Sequence, residues 1–253
     1  GDENNEKKEY VLFHRNLEYY LSKGIELRKV HKIIQFDMKP IMKKWIDYCV
    51  EQRTKSSSEY EKQYWKNMMN CPYGKTMENC RKHVDMTITK RTKKVRQISN
   101  SGRWSGHIKY NKHLYAIKKR KLTVKLNKPI FVGFAILEIS KLLMLKYWHH
   151  IQERYGRKAT LLFTDTDSLM FKVETEDFYK DMEVDLDMYD TSNLPTDNPL
   201  YSLKNKKQLY KMKDEANGNI IVEFVGLKSK LYSYKMIDRS SGEVINKKKA
   251  KGI

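Results

Sequence analysis

Leu161-Leu162-Phe163-Thr164-Asp165-Thr166-Asp167-Ser168-Leu169-Met170-Phe171 holds two apolar runs around a polar tip. That pattern predicts a hairpin of two short strands, residues 159–163 and 169–173, with two carboxylates at or near its tip. Residues two apart share a strand face, so Asp165 and Asp167 are expected to approach one hard cation. Mg²⁺ favours carboxylate and phosphate oxygens. Two such ions about 3.5–4 Å apart activate an attacking oxygen and stabilise a leaving one. The competing reading is ordinary turn chemistry, because Asp and Ser bond their own backbone in tight turns.

Outward from this tip, residues 134–153 predict a strong helix stopped near Gly156, and residues 220–225 and 231–236 a second strand pair. Upstream, residues 10–23 read as a helix ended by Gly24, and residues 30–36 as a strand. Residues 40–69 read as largely helical with a polar break at 54–58. Residues 86–128 give mixed signals of short strands and loops. The mixture defines an α+β class.

At 253 residues, with 40% hydrophobic and 11% aromatic side chains, the chain can bury a sizeable core and is not a disordered tail. Its formal charge of +20 and pI near 9.6 imply a polyanionic partner, nucleic acid first. Between Arg81 and Lys128 stand sixteen Lys/Arg and one acid, Asp85, whereas between Glu174 and Asp190 stand eight acids and one Lys. Such blocks suit a protein with one face on phosphate and another turned away; solvated loops of opposite sign are the plainer alternative. Three cysteines without zinc spacing suggest a reducing, intracellular setting. The longest apolar run, residues 131–145, is broken by Glu138 and Lys141, so no membrane span is expected. The chain opens on Gly1-Asp2-Glu3 without an initiator Met and reads as a fragment.

A second segment, Lys66-Asn67-Met68-Met69-Asn70-Cys71-Pro72-Tyr73-Gly74, follows a helical stretch from Glu59. At about 100° per residue, Lys62, Lys66, Asn70 and Tyr73 fall within an arc of about 80°. Tyr60, Tyr64, Trp65 and Met68 point elsewhere and are expected to pack inward. Two cations, an amide and an aromatic ring on one face suit a nucleoside triphosphate, and Arg53 adds a further phosphate contact. An exposed lysine face on an amphipathic helix is the bland alternative.

Taken together and in order, these segments carry a resemblance. Lys66-x-x-x-Asn70-Cys71-x-Tyr73-Gly74 resembles the Lys-x-x-x-Asn-Ser-x-Tyr-Gly motif of family B DNA polymerases. Thr164-Asp165-Thr166-Asp167-Ser168 resembles their Tyr-x-Asp-Thr-Asp-Ser motif, and Gly226-Leu227-Lys228-Ser229-Lys230-Leu231-Tyr232 their Lys-x-Tyr primer-end motif. The stretch from Tyr73 to Asn79, and that from Asp190-Thr191-Ser192-Asn193 through Lys213-Asp214-Glu215, look like the protein-primed enzymes of Polinton (Maverick) elements and related viruses. The likeness runs from about Tyr10 to the Lys-Gly-Ile end.

The resemblance implies a palm with helical fingers, with thumb and exonuclease domain missing. Residues 1–36 would lead in, 37–80 form the fingers, 81–128 a basic insertion, and 129–253 the palm up to the start of the thumb. It implies Asp165 and Asp167 as catalytic ligands of two Mg²⁺, with Mn²⁺ as a substitute. Lys66, Lys62 and Arg53 would hold the deoxynucleoside triphosphate, and Asn70 and Tyr73 would line its pocket. Lys230 and Tyr232 would hold the primer end, with Lys228 on nearby phosphates and Gly74, Lys75 and Lys141 among the contacts to the DNA template-primer. A terminal protein would supply the first hydroxyl, and the basic insertion would encircle DNA. A mobile-element source would place the enzyme in a eukaryotic nucleus.

Departures from the pattern are Cys71 in place of Ser, Phe163-Thr164 in place of Tyr-Cys, and Pro72, which costs about 3 kcal/mol inside a helix and predicts a kink or an end there. The upstream Asp-x-x-x-Leu-Tyr-Pro motif and the exonuclease motifs are absent, so the chain is expected to be inactive alone. A non-catalytic nucleic-acid-binding protein and a decayed mobile-element remnant are the rival readings.

Overall fold

A computed structural model describes residues 6–251; the opening Gly1-Asp2-Glu3 and the closing Gly252-Ile253 lie outside the described residues. The helices are α1 (His14–Ser22), α2 (Lys43–Lys55), α3 (Glu59–Thr76), α4 (Thr92–Ser99), α5 (Ile130–Tyr155) and α6 (Phe178–Met182). The strands are β1 (Asp85–Thr89), β2 (Trp104–Asn111), β3 (Leu114–Lys119), β4 (Ala159–Asp165), β5 (Ser168–Val173), β6 (Ile220–Lys228), β7 (Leu231–Ile237) and β8 (Val244–Ala250). The class is mixed α+β with antiparallel sheets. Two compact units divide the chain. One is residues 30–136; the other joins the residues up to Lys29 with those from Leu137 onward, the boundary falling inside α5.

In the unit of residues 30–136, α2 and α3 form an antiparallel helical hairpin. Tyr48 meets Trp65 edge-on with ring centres 5.7 Å apart, and Cys49 is fully buried. α3 begins where Ser58 accepts the Glu61 backbone N–H at 3.2 Å, and Glu59 and Glu61 in its first turn face the positive end of the helix dipole. It then runs through Pro72 to Thr76 without ending. The expected break is avoided by a substitution of partners. Proline cannot donate to the Met68 carbonyl four residues back, and the Trp45 indole N–H donates to that carbonyl instead, at 3.3 Å. Of the side chains expected to pack inward, Trp65 and Met68 are half-buried, but Tyr60 and Tyr64 stand exposed.

The stretch expected as a strand at residues 30–36 is not one. It has no neighbouring strand to satisfy its backbone, and Ile33 and Ile34 are largely exposed. Residues 86–128 resolve into a three-stranded sheet in the order β1-β3-β2, with α4 packed against it through Val95 and with Ala116 and Ile117 buried.

In the other unit, α1 lies along α5. The buried Asn16 donates to the Glu138 carbonyl at 3.0 Å, the Tyr19 hydroxyl meets His149 Nδ1 at 2.7 Å, and Lys23 pairs with Glu153 at 2.6 Å. The core joins Tyr147 and Ile151 of α5 to Met182, Tyr189, Leu194 and Leu200, with Phe171 of β5 packed against it. The acidic run is only partly solvated: Glu174, Glu176, Asp177, Glu183 and Asp187 are exposed, whereas other acids of the run are engaged. Asp181 accepts the Tyr155 and Thr175 hydroxyls, and Asp185 meets His150 and Arg154 at 3.0 and 2.9 Å. The long connection from Asp190 to Glu215 is closed by two carboxylates. Asp190, buried, accepts the backbone N–H groups of Ser192 and Lys207; Asp214 accepts the Tyr179 hydroxyl and the N–H groups of Ala216 and Gly218. β4 and β5 form one hairpin, and β6, β7 and β8 a three-stranded sheet; the last strand was not anticipated from sequence.

Candidate functional site

The β4–β5 hairpin pairs Asp165 with Ser168 across a two-residue loop, Thr166-Asp167. Asp167 donates its N–H to the Asp165 carbonyl at 2.6 Å, and Thr166 between them has φ 53°. This i→i+2 bond closes a γ-turn. The two carboxylates are therefore neighbours through the turn and not through the strand pleat, since Asp167 lies beyond the end of β4. Ser168 Oγ donates to the Asp165 carbonyl at 3.2 Å and fixes the far side of the loop.

A second hairpin, β6–β7, presents its own tip to this one. Lys230, in its loop, places Nζ 3.2 Å from Asp165 Oδ1 and 3.4 Å from Oδ2. It does so from a left-handed backbone, φ 62°. Tyr232 lies against Phe163 of β4, ring centres 4.6 Å apart, and Phe224 stacks on Phe163 at 6.3 Å with 13° between planes. Gly226 makes room for this wall: a Cβ there would stand 3.0 Å from the Phe224 ring. Burial, then the Asp165 and Glu215 carboxylates, raise the Tyr232 phenol above its ordinary pKa.

Asp165, Lys230 and Tyr232 are thus brought together from two motifs, with Asp167 two residues further along the same turn. Lys228 ends β6, exposed and, among the described residues, without an ion-pair partner. Lys141 is engaged elsewhere in the same unit, donating to the Tyr10 hydroxyl at 3.0 Å and lying over that ring. Phe163 and Phe224 were missed as site residues. The signal available was a Gly between apolar residues in a strand, which marks a close approach or a bulge.

The α3 residues belong to the unit of residues 30–136. Lys66 and Asn70 are exposed, Tyr73 and Arg53 half-buried. Lys62 pairs with Glu59 at 2.6 Å, so this cation is shared. Gly74 is exposed, with open space where a side chain would stand. Lys75 pairs with Glu78 at 2.8 Å, and Glu78 also meets Lys128 and His83 at 2.9 Å each. The ammonium groups of Lys75 and then Lys128 pull the Glu78 carboxyl down to about 2.

Among the described residues no cluster of three or more His, Cys, Asp or Glu side chains gathers as a metal site. Two carboxylates at an exposed tip are nevertheless a donor set that suits Mg²⁺, which commonly takes one or two protein carboxylates and completes its shell with water and substrate phosphate. No helix among the described residues is long and apolar enough to cross a membrane. Neither family models, curated proteins nor solved structures match this chain.

Proposed function

We propose that the chain carries part of the catalytic centre of a template-directed DNA polymerase, a nucleotidyltransferase of the protein-primed family B kind. The observation behind this reading is the meeting of Asp165 and Lys230, 65 positions apart in sequence, with Tyr232 packed on the strand that bears the carboxylate. Aspartates that served only the turn's own backbone would need no lysine from another hairpin.

In this reading residues 129–253 are the palm, 37–80 the fingers, 81–128 the basic insertion and 1–36 the segment leading in. Asp165 and Asp167 hold the Mg²⁺ ions. When bound, these lower the pKa of the attacking primer hydroxyl and stabilise charge on the departing pyrophosphate. Lys230 exchanges its exposed pairing with Asp165 for a primer phosphate, a change that costs little because exposed ion pairs contribute about 0–1 kcal/mol. Tyr232, its phenol kept protonated, donates to a phosphate oxygen while its ring rests on Phe163. Lys66, Lys62 and Arg53 take the triphosphate; Asn70 and Tyr73 line the nascent pair; Gly74, Lys75, Lys141 and Lys228 lie along DNA.

Mn²⁺ added to the isotope-labelled chain with primer–template tests this reading by NMR line broadening. Broadening centred on residues 165–168 is expected, and Asp167→Asn should remove it while leaving DNA affinity nearly unchanged. DNA binding without localised broadening would favour the second reading, a nucleic-acid-binding protein without metal chemistry, which rests on the basic block between Arg81 and Lys128.

A further inference from the structure

We propose that Lys247 and Lys249 form a second pair of phosphate contacts, carrying the Lys230–Tyr232 site onward along the primer strand's backbone. The inference rests on the reading of Tyr232 as a primer-end residue. It comes from the register of β8. That strand sets Lys249 opposite Tyr232 and Lys247 opposite Tyr234, while β6 sets Gly226 and Phe224 opposite the same two tyrosines. Directly opposed residues share a sheet face. One face therefore carries Phe224, Tyr232, Tyr234, Lys247 and Lys249. Lys248, opposite Ser233, belongs to the other face.

The Tyr232 and Tyr234 rings stack 6.3 Å apart with 18° between planes, a fixed aromatic row alongside the two cations. Lys247, Lys248 and Lys249 are all exposed, and among the described residues none of them has an ion-pair partner. Lys235, on the Ser233 side of β7, is by contrast engaged by Glu223 at 2.7 Å. Alternate strand residues stand about 6.8 Å apart, so two ammonium groups on one face can reach separate phosphates of the same strand. Lysines on an edge strand also deter edge-to-edge pairing. That role is indifferent to face, and Lys248 fills it as well as its neighbours do.

The difference between faces supplies the test. Binding of a fluorescent primer–template is measured by anisotropy over a range of salt concentrations for the wild-type chain, K247Q/K249Q, K248Q and K230Q/Y232A. Each lost phosphate contact flattens the plot of log affinity against log salt by about 0.9, so K247Q/K249Q should be shallower by about 1.8 and K248Q nearly unchanged. A K248Q slope as shallow as that expected for one lost contact would overturn the inference, because the face would then be irrelevant. If K230Q/Y232A weakens binding and K247Q/K249Q does not, the inference falls and the polymerase reading stands. If neither has any effect, both fall together.

Discussion

Thr166 is a β-branched residue held at φ 53° between the two aspartates. The left-handed region costs an L-residue about 1–2 kcal/mol, and Gly enters it without that cost. Strain of this kind persists where the surroundings over-determine it, and it collects at sites that need a fixed geometry. Thr166→Gly should therefore raise the urea midpoint, the gain in unfolding free energy being no more than about 1 kcal/mol once the added freedom of the unfolded glycine is set against the relief. It should also weaken Mn²⁺ binding at the tip, because the turn no longer holds the carboxylates in one arrangement. A lower midpoint would mean that the turn is unstrained. The aspartates themselves were legible in sequence because two apolar runs frame them. Their company was not. Contact between Phe163 and Tyr232 depends on register shifts between Leu161 and Phe163 and between Gly226 and Lys228, and a pattern of period two carries no trace of such slips.

Among the elements, long periodic segments were read well and boundary cases poorly, for identifiable reasons. The α5 helix extends the expected one by about a turn at its start, since Pro129 can precede a first turn whose N–H groups are unpaired in any case. Helix α3 outlasts Pro72 because a tryptophan on the other helix satisfies the orphaned carbonyl, a tertiary fact invisible to local sequence. Strand β8 was overlooked because Asn246-Lys247-Lys248-Lys249 reads as a polar tail; an edge strand tolerates such a run. Glu78 shows how one side chain ties such elements together, joining the end of α3 through Lys75 to Lys128, just before α5. Its carboxyl titrates near 4.5 when unpaired and at about 2 in the fold. The ionised form therefore contributes stability that is fully present above pH 4.5 and is lost as pH falls toward 2. Glu78→Gln should be less stable than wild type at neutral pH, with the gap closing across that window in denaturation curves taken at successive pH values. A gap independent of pH would show that Glu78 acts through packing alone.

For the molecule as a whole, the decisive quantity is uncompensated positive charge. The one acid between Arg81 and Lys128, Asp85, is already held by Arg103 and Lys119 at 2.9 Å each. Lys128 pairs with Glu78 at 2.9 Å, whereas Lys90, Arg91, Lys93 and Lys94, without an ion-pair partner among the described residues, crowd the start of α4, where the helix dipole disfavours positive charge. Composition announced this imbalance directly, while the engagement of Asp181 and Asp185 by side chains of α5 required the fold. Self-repulsion on this scale works against the compact state, and screening relieves it. Moderate salt should thus raise the melting temperature and, in the same range, weaken nucleic-acid binding, with log affinity falling linearly in log salt and nearly alike for all sequences. Replacing Lys90, Arg91, Lys93 and Lys94 by Gln should move both observables in opposite senses. The melting temperature rises as repulsion at the helix start is removed, and the salt slope becomes shallower by about 0.9 for each group that met a phosphate. A variant that melts higher yet keeps the wild-type slope would show that these cations burden the fold without touching nucleic acid, and binding would then have to be sought on the Tyr232 face alone.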